Sequence, residues 1–251
     1  MLLRTFLDKN HSFLDIGAWI GPISLFAAPL CRHVYSIEPD PVALNHLLYN
    51  TSFLPNITVI PLALGERDGT TVFGGNGEMG NSESTMLVRE EGYTKKLGAK
   101  LRTNVGAEEA WRATGTITVA MTSIETIEKT HDLSDCNLVK IDIEGGEKFV
   151  IPALLNFFRK KKPTLILSLH PTYLTQKEIR EIVKMLRDTY PYIYVDPNFQ
   201  HHDSSCPTLI IALFNDVSLH IKLNGFLRRK WRNANLLAQS IMKTWSFISS
   251  K

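Results

Sequence analysis

The stretch Phe13-Leu14-Asp15-Ile16-Gly17-Ala18-Trp19-Ile20-Gly21 constrains this chain most. An apolar run carrying one acidic residue ends at Gly17, three residues separate it from Gly21, and Pro22-Ile23-Ser24-Leu25-Phe26-Ala27-Ala28 continues with helical apolar spacing. That order is strand, glycine turn, helix start. Gly17 permits a backbone conformation that a side chain would resist, and Gly21 lets a ligand or the strand come close to the helix. Such a turn also occurs as plain fold punctuation, so its meaning depends on the rest of the chain.

Beyond Gly21 the chain alternates regularly between strand and helix patterns. The spacing predicts a helix over 21–32, a strand over 33–38, a helix opened by Asp40 as N-cap with Pro41 in its first turn, and a third strand region over 57–64. Strands separated by helices of this length form right-handed βαβ units and a parallel sheet. Between Gly65 and about Gly115 apolar runs are scarce and glycines and charges are many. This reads as an insertion at 65–115, either a lid or substrate-contacting loop or a disordered one. The alternation resumes with a strand over 116–121, a short helix capped at Ser123, and a central strand over 137–143. A helix through 149–155, a strand over 164–170, a helix over about 176–188, a strand over 192–195 and a last strand over 208–214 complete it.

The 251 residues, 44% of them hydrophobic, suffice for one large α/β domain, here 1–217, with a basic amphipathic helical tail, 218–251. A net charge of +3 is far from that of a dedicated nucleic-acid binder, and nucleic acid is not the expected partner. The excess sits in Arg159-Lys160-Lys161-Lys162, read as a solvated helix end, and in Arg228-Arg229-Lys230-Trp231-Arg232 of the tail. Helical apolar spacing around that second cluster argues for packing on the domain or peripheral contact with a membrane surface. Cys31, Cys136 and Cys206 are scattered without metal-ligand spacing, so neither a disulfide framework nor a zinc site is indicated. No segment approaches the roughly 20 apolar residues of a membrane span, Met1 to Thr5 shows no secretory pattern, and the expected location is cytoplasmic.

In an open parallel sheet, ligands bind beyond the carboxyl ends of the strands, where strand order reverses. The ends at Asp15-Ile16-Gly17, Glu38-Pro39, Asp142-Ile143-Glu144-Gly145 and Ser168-Leu169-His170 therefore converge. Glu38, at the second strand's end, is placed to accept the two hydroxyls of a ribose. Both a nicotinamide dinucleotide and S-adenosylmethionine carry a ribose. The turn lacks the G-x-G-x-x-G of a pyrophosphate cradle, with Ala18 and Trp19 in its place, and Asp15 suits a cationic ligand better than a diphosphate. S-adenosylmethionine is the favoured cofactor.

These residues carry a resemblance. Phe13 to Gly21, Ser36-Ile37-Glu38-Pro39, Leu62-Ala63-Leu64-Gly65 and, most specifically, Val139-Lys140-Ile141-Asp142-Ile143-Glu144-Gly145-Gly146-Glu147 together resemble the FkbM family of S-adenosylmethionine-dependent methyltransferases over roughly residues 10–170. The resemblance implies an α/β class I methyltransferase (Rossmann-like) fold. Its mostly parallel seven-stranded sheet has an antiparallel last strand, 208–214 here, and helices on both faces. It implies O-methylation of a hydroxyl on a small metabolite, sugar or glycan. It also implies that Asp15, Gly17, Ala18 and Gly21 hold the methionine part, Glu38 with Pro39 the ribose, and that Ala63 and Leu64 lie near the adenine. Asp142 then sits at the methyl-transfer end. Trp19 departs from the family, which has a small polar residue there.

Methyl transfer is an in-line displacement, so the protein positions the acceptor oxygen and removes its proton. His170, Asp142 and Glu144 are the candidate bases, His170 having the most suitable ordinary pKa, about 6.5. It also reads as a strand-end histidine bonded for structure, and Glu144 and Glu147 as caps of the helix they open. Asp142 and Glu144 could hold magnesium; the metal-free route is preferred. Two other functions remain open: a nucleic-acid-binding or nucleic-acid-modifying protein using the basic tail, and a nicotinamide-dependent oxidoreductase.

Overall fold

The computed structural model describes residues 2–74, 80, 85–86, 116–171, 173–195 and 208–214. Its elements in chain order are β1 (Ser12–Ile16), α1 (Pro22–Ala27), β2 (His33–Ile37), α2 (Pro41–Thr51), β3 (Ile57–Ile60), β4 (Ala63–Leu64), β5 (Gly69–Gly74), β6 (Thr85–Met86) and β7 (Thr116–Thr122). Next come α3 (Ile124–Thr130), β8 (Cys136–Ile141), α4 (Glu147–Lys161), β9 (Thr164–Leu169), α5 (Gln176–Arg187), β10 (Tyr192–Val195) and β11 (Thr208–Leu213). Side-chain caps start several helices as the sequence predicts. The Asp40 carboxylate accepts from the N–H groups of Val42 and Ala43, and the Ser123 hydroxyl from that of Thr126. The first helix is shorter than its spacing suggests, ending at Ala27, two residues before Pro29.

Seven strands form one sheet in the order β10-β11-β9-β8-β1-β2-β3. The pairs β9/β8, β8/β1, β1/β2 and β2/β3 are parallel, while β11 runs antiparallel to both β9 and β10. The expected class I methyltransferase architecture, with its antiparallel last strand, is present. Successive units step outward from β1 through β2 to β3, and from β8 the chain steps the other way. Strand order therefore reverses between β1 and β8. Register pairs Ile16 with Ile37 on one side and Ile141 on the other, so the residues just after these three strands lie side by side. Phe13, Leu14, Leu138, Val139 and Ile141 are fully buried, each stabilising the sheet by roughly 1.5–3 kcal/mol.

Two readings need correction. Residues 57–64 are not one strand: the chain breaks at Pro61, which has no N–H for a ladder, leaving β3 in the main sheet and β4 in a second one. Nor does β7 resume the α/β alternation. It pairs antiparallel with β5 and parallel with β4 in a four-stranded sheet ordered β4-β7-β5-β6. The start of the 65–115 insertion is thus a sheet, with Phe73, Ile117 and Val119 packed on Ala63. Residues 87–115 and the tail, 218–251, with their readings as lid and as basic amphipathic helix, lie outside the described residues. The Arg159-Lys160-Lys161 run does close α4, where Lys160 and Lys161 meet Glu128.

Gly17 has φ +78°, and a Cβ there would lie 2.0 Å from the backbone oxygen of Asp142. Gly21 has φ +91°, but its Cβ would meet the tip of the Leu47 side chain at 2.7 Å. Both positions resist a side chain by conformation; only Gly17 faces immovable backbone. Gly17→Ala is therefore expected to lower stability by roughly 3–5 kcal/mol and Gly21→Ala by roughly 1–3 kcal/mol, compared by urea denaturation.

Candidate active site

A cleft opens where the strand ends meet. Ile16, Gly17 and Trp19 line it from the β1 turn, Ile37, Glu38 and Pro39 from the end of β2, and Asp142 and Ile143 from the end of β8. Ala63 and Leu64 of β4, Phe73 of β5, Met86 of β6 and Val150 of α4 complete the wall. The second sheet therefore supplies much of the apolar side. Of the residues predicted to hold the cofactor, Gly17, Glu38, Pro39, Ala63, Leu64 and Asp142 line this cleft, whereas Asp15, Ala18 and Gly21 do not.

Asp15 lies beneath the turn, fully buried. Its Oδ2 accepts from the Ser24 hydroxyl at 2.7 Å, and Oδ1 is 3.3 Å from Nζ of Lys140. Lys140 also donates to the Gly17 carbonyl at 3.0 Å and stands 3.6 Å from Asp142 Oδ2. Burial would lower the Lys140 pKa, but the charges of Asp15 and Asp142 prevail and hold it above its usual value. Lys140 thus ties the β1 turn to the end of β8, a role that the sequence did not reveal.

The turn's amides are spent internally. Gly17 and Ala18 donate to the Ile37 carbonyl at 3.1 and 3.0 Å, Trp19 donates to Glu38 Oε2 at 2.8 Å, and Gly21 donates to the Ala18 carbonyl at 2.9 Å. Those N–H groups are not available to cradle a pyrophosphate. Trp19 holds a left-handed conformation, φ +50°, and its indole N–H donates to the Gly80 carbonyl at 2.8 Å. The Gly80 N–H in turn donates to Asp40 Oδ2 at 2.8 Å. Trp19 thus holds Gly80 beside the cleft.

Glu38 is 6% exposed, and its Oε1 accepts from the Asp40 N–H at 2.8 Å. Each carboxylate oxygen has one backbone partner and a lone pair to spare, which leaves room for two hydroxyl donors. Burial, aided by the Asp40 charge and opposed by the backbone donors, pushes its pKa up to about 7.

At the far side of Asp142, four ionisable groups meet. His170, just after β9, has Nε2 3.1 Å from Asp142 Oδ1 and 3.2 Å from Glu144 Oε1, and Nδ1 2.8 Å from Glu147 Oε1. All three predicted catalytic residues are therefore brought together. Glu147 opens α4 but caps nothing: the N-cap is Gly146, and the fully buried Glu147 carboxylate holds the imidazole instead. Burial alone would depress the His170 pKa. With only protons to balance these carboxylates, its bonds to Asp142 and Glu147 and their charges outweigh burial and raise it to about 10, away from the 6.5 expected of a free base. Lys140 and His170 keep Asp142 below the usual carboxylate range despite burial.

The Methyltransferase FkbM domain family model matches residues 15–194. This chain belongs to the FkbM methyltransferase family. The methyl donor of that family is S-adenosylmethionine. No curated protein matches the chain. Among solved structures it is similar to the methyltransferase FkbM of Methylobacillus flagellatus KT, at 19% identity and a TM-score of 0.49, covering 80% of this chain and 43% of that one. The chain thus spans less than half the length of that FkbM protein. It is also similar to SMU.1697c of Streptococcus mutans, solved in complex with SAH, at 11% identity and a TM-score of 0.48, covering 84% and 93%. A third is the fibrillarin of Aeropyrum pernix with natively bound S-adenosyl-L-methionine, at 11% identity and a TM-score of 0.41, covering 82% and 67%. Among the described residues no helix is long and apolar enough to cross a membrane.

The raised Glu38 pKa fixes a pH dependence. Between about 4.5 and about 7 the folded protein keeps a proton that the unfolded chain has lost, so this contribution to stability is complete below 4.5 and disappears as pH rises through 7. Glu38→Gln does not titrate. Its stability relative to the parent should therefore rise by roughly 2 kcal/mol from pH 5 to pH 8, measured by paired urea titrations.

Proposed function

We propose that this chain is an S-adenosylmethionine-dependent O-methyltransferase whose acceptor is a hydroxyl of a small metabolite, sugar or glycan. The observation that carries the reading is the meeting of His170 Nε2 with Asp142 and Glu144 at 3.1 and 3.2 Å, beside a cleft that Asp142 lines together with Gly17 and Glu38. A hydroxyl becomes a competent nucleophile only as its proton leaves, and this cluster is placed to promote that loss, by taking the proton or by stabilising the oxygen left behind.

In this reading Glu38 and Pro39 hold the ribose, Ala63 and Leu64 flank the adenine, and the β1 turn with Gly17 holds the methionine part. Asp15 acts on that part through Lys140 and the Gly17 carbonyl, and Ala18 and Gly21 shape the turn. The methyl carbon then points past Asp142 toward His170. Transfer breaks the sulfonium C–S bond as the C–O bond forms, and the acceptor proton passes into the cluster. The internally bonded turn amides weigh against a nicotinamide dinucleotide. Three carboxylates at the transfer end, those of Asp142, Glu144 and Glu147, weigh against a polyanionic acceptor such as nucleic acid. An intracellular, cytoplasmic setting fits the buried free thiols of Cys31 and Cys136.

Calorimetry with S-adenosylhomocysteine tests the cofactor half. Binding is expected for the parent and a loss of at least about tenfold for Glu38→Ala, since a carboxylate accepting two hydroxyls contributes more than about 1.4 kcal/mol. No binding at millimolar ligand would end the proposal. For the catalytic half, His170→Ala should bind S-adenosylhomocysteine like the parent while slowing methyl transfer to an accepted hydroxyl substrate at least about a hundredfold.

A further inference from the structure

The Asp142, Glu144 and His170 side chains offer one donor atom each within 4.8 Å of one another. His170 Nε2 is 3.1 Å from one carboxylate oxygen and 3.2 Å from the other. Ligands about 2.1–2.3 Å from a six-coordinate cation stand roughly 3.0–3.3 Å apart along a shared edge, so both separations fit two edges of one octahedral face.

The other ring nitrogen is fixed from behind. Nδ1 lies 2.8 Å from Oε1 of Glu147, a carboxylate with no solvent exposure. A carboxylate in that position holds the proton on Nδ1 and turns the Nε2 lone pair outward, the arrangement that prepares a histidine to ligate a metal. Nε2 and two carboxylate oxygens then face one another, and either the Nε2 proton or a cation stands between them. The other Glu147 oxygen, Oε2, is buried with no hydrogen-bond donor among the described residues. The Lys140 ammonium does not supply positive charge to the face. It lies 3.6 Å from the other oxygen of Asp142 and is engaged by Asp15 and the Gly17 carbonyl.

We propose that Asp142, Glu144 and His170 are the protein ligands of a divalent cation of the magnesium or manganese type, bound at the transfer end of the cofactor cleft. Two carboxylates and one imidazole suit such a hard cation. Three protein ligands leave as many as three positions for water or for two neighbouring oxygens of the acceptor. The acceptor class this implies is a vicinal diol or a hydroxyl beside a carbonyl, a step that rests on the O-methyltransferase reading. The proposal departs from the metal-free route preferred on the sequence, where spacing paired Asp142 with Glu144 but could not bring in His170.

The test uses Mn²⁺ as its probe. Chelator-treated full chain is titrated with Mn²⁺ while the free ion is followed by electron paramagnetic resonance. One site per chain with Kd of about 10–100 μM is expected, displaced by excess Mg²⁺, with the coupling of one imidazole nitrogen in pulsed spectra of the bound ion. His170→Ala, and His170→Gln as the second variant, should abolish the nitrogen coupling and weaken binding at least about tenfold. Glu144→Gln should weaken binding but keep the coupling. S-adenosylhomocysteine binding by each variant reports an intact cleft. Absence of Mn²⁺ binding below millimolar, or a nitrogen coupling that persists without His170, overturns the proposal; a proton then fills the face. Failure of S-adenosylhomocysteine to bind the parent would instead strike the methyltransferase reading, leaving the Mn²⁺ result to stand separately.

Discussion

The close approach of the β1 turn to the end of β8 is the contact on which the rest of the structure depends. Gly17 comes so near the Asp142 carbonyl that no side chain fits between them, and Lys140 bridges the two from below. This approach sits where the strand order reverses, so it opens a cleft beyond the sheet and brings Glu38 from the next strand alongside. Move the turn outward by one methyl group and Glu38, the turn carbonyl and Asp142 no longer share one wall.

Charge then organises what geometry has gathered. Asp15 and Lys140 pair below the turn, and the Asp15 charge helps to hold the buried Lys140 ammonium above its usual pKa. Glu38 has two backbone donors and no ion pair among the described residues, and burial pushes its pKa up to about 7. At the transfer end, three carboxylates surround one imidazole, and Lys140 faces the other oxygen of Asp142.

Much of this was legible in the sequence, because period and capping are local properties. The apolar runs around Leu14, Val34, Val139 and Leu167 mark buried parallel strands, and Asp40 and Ser123 mark helix starts without reference to anything distant. Strand pairing is not local. Nothing within Thr116–Thr122 says that its partner is Gly69–Gly74, and an alternating run looks the same in either sheet. Pro61 was the available signal for the break between β3 and β4. The convergence of Asp142, Glu144 and His170 came from their places at strand ends, whereas Lys140, Trp19 and Glu147 act through partners 19 to 123 residues away that the motifs containing them do not name. Trp19, unexplained as a turn residue, makes sense only once Gly80 is beside it.

A crystal structure of the chain with S-adenosylhomocysteine tests the central claim most directly, because that claim is about where one nucleoside and one sulfur lie. The account predicts both ribose hydroxyls on the Glu38 carboxylate, the adenine between Ala63 and Leu64, and the sulfur directed past Asp142 toward His170. A ligand bound elsewhere, or one whose sulfur faces away from Asp142 and His170, would contradict it.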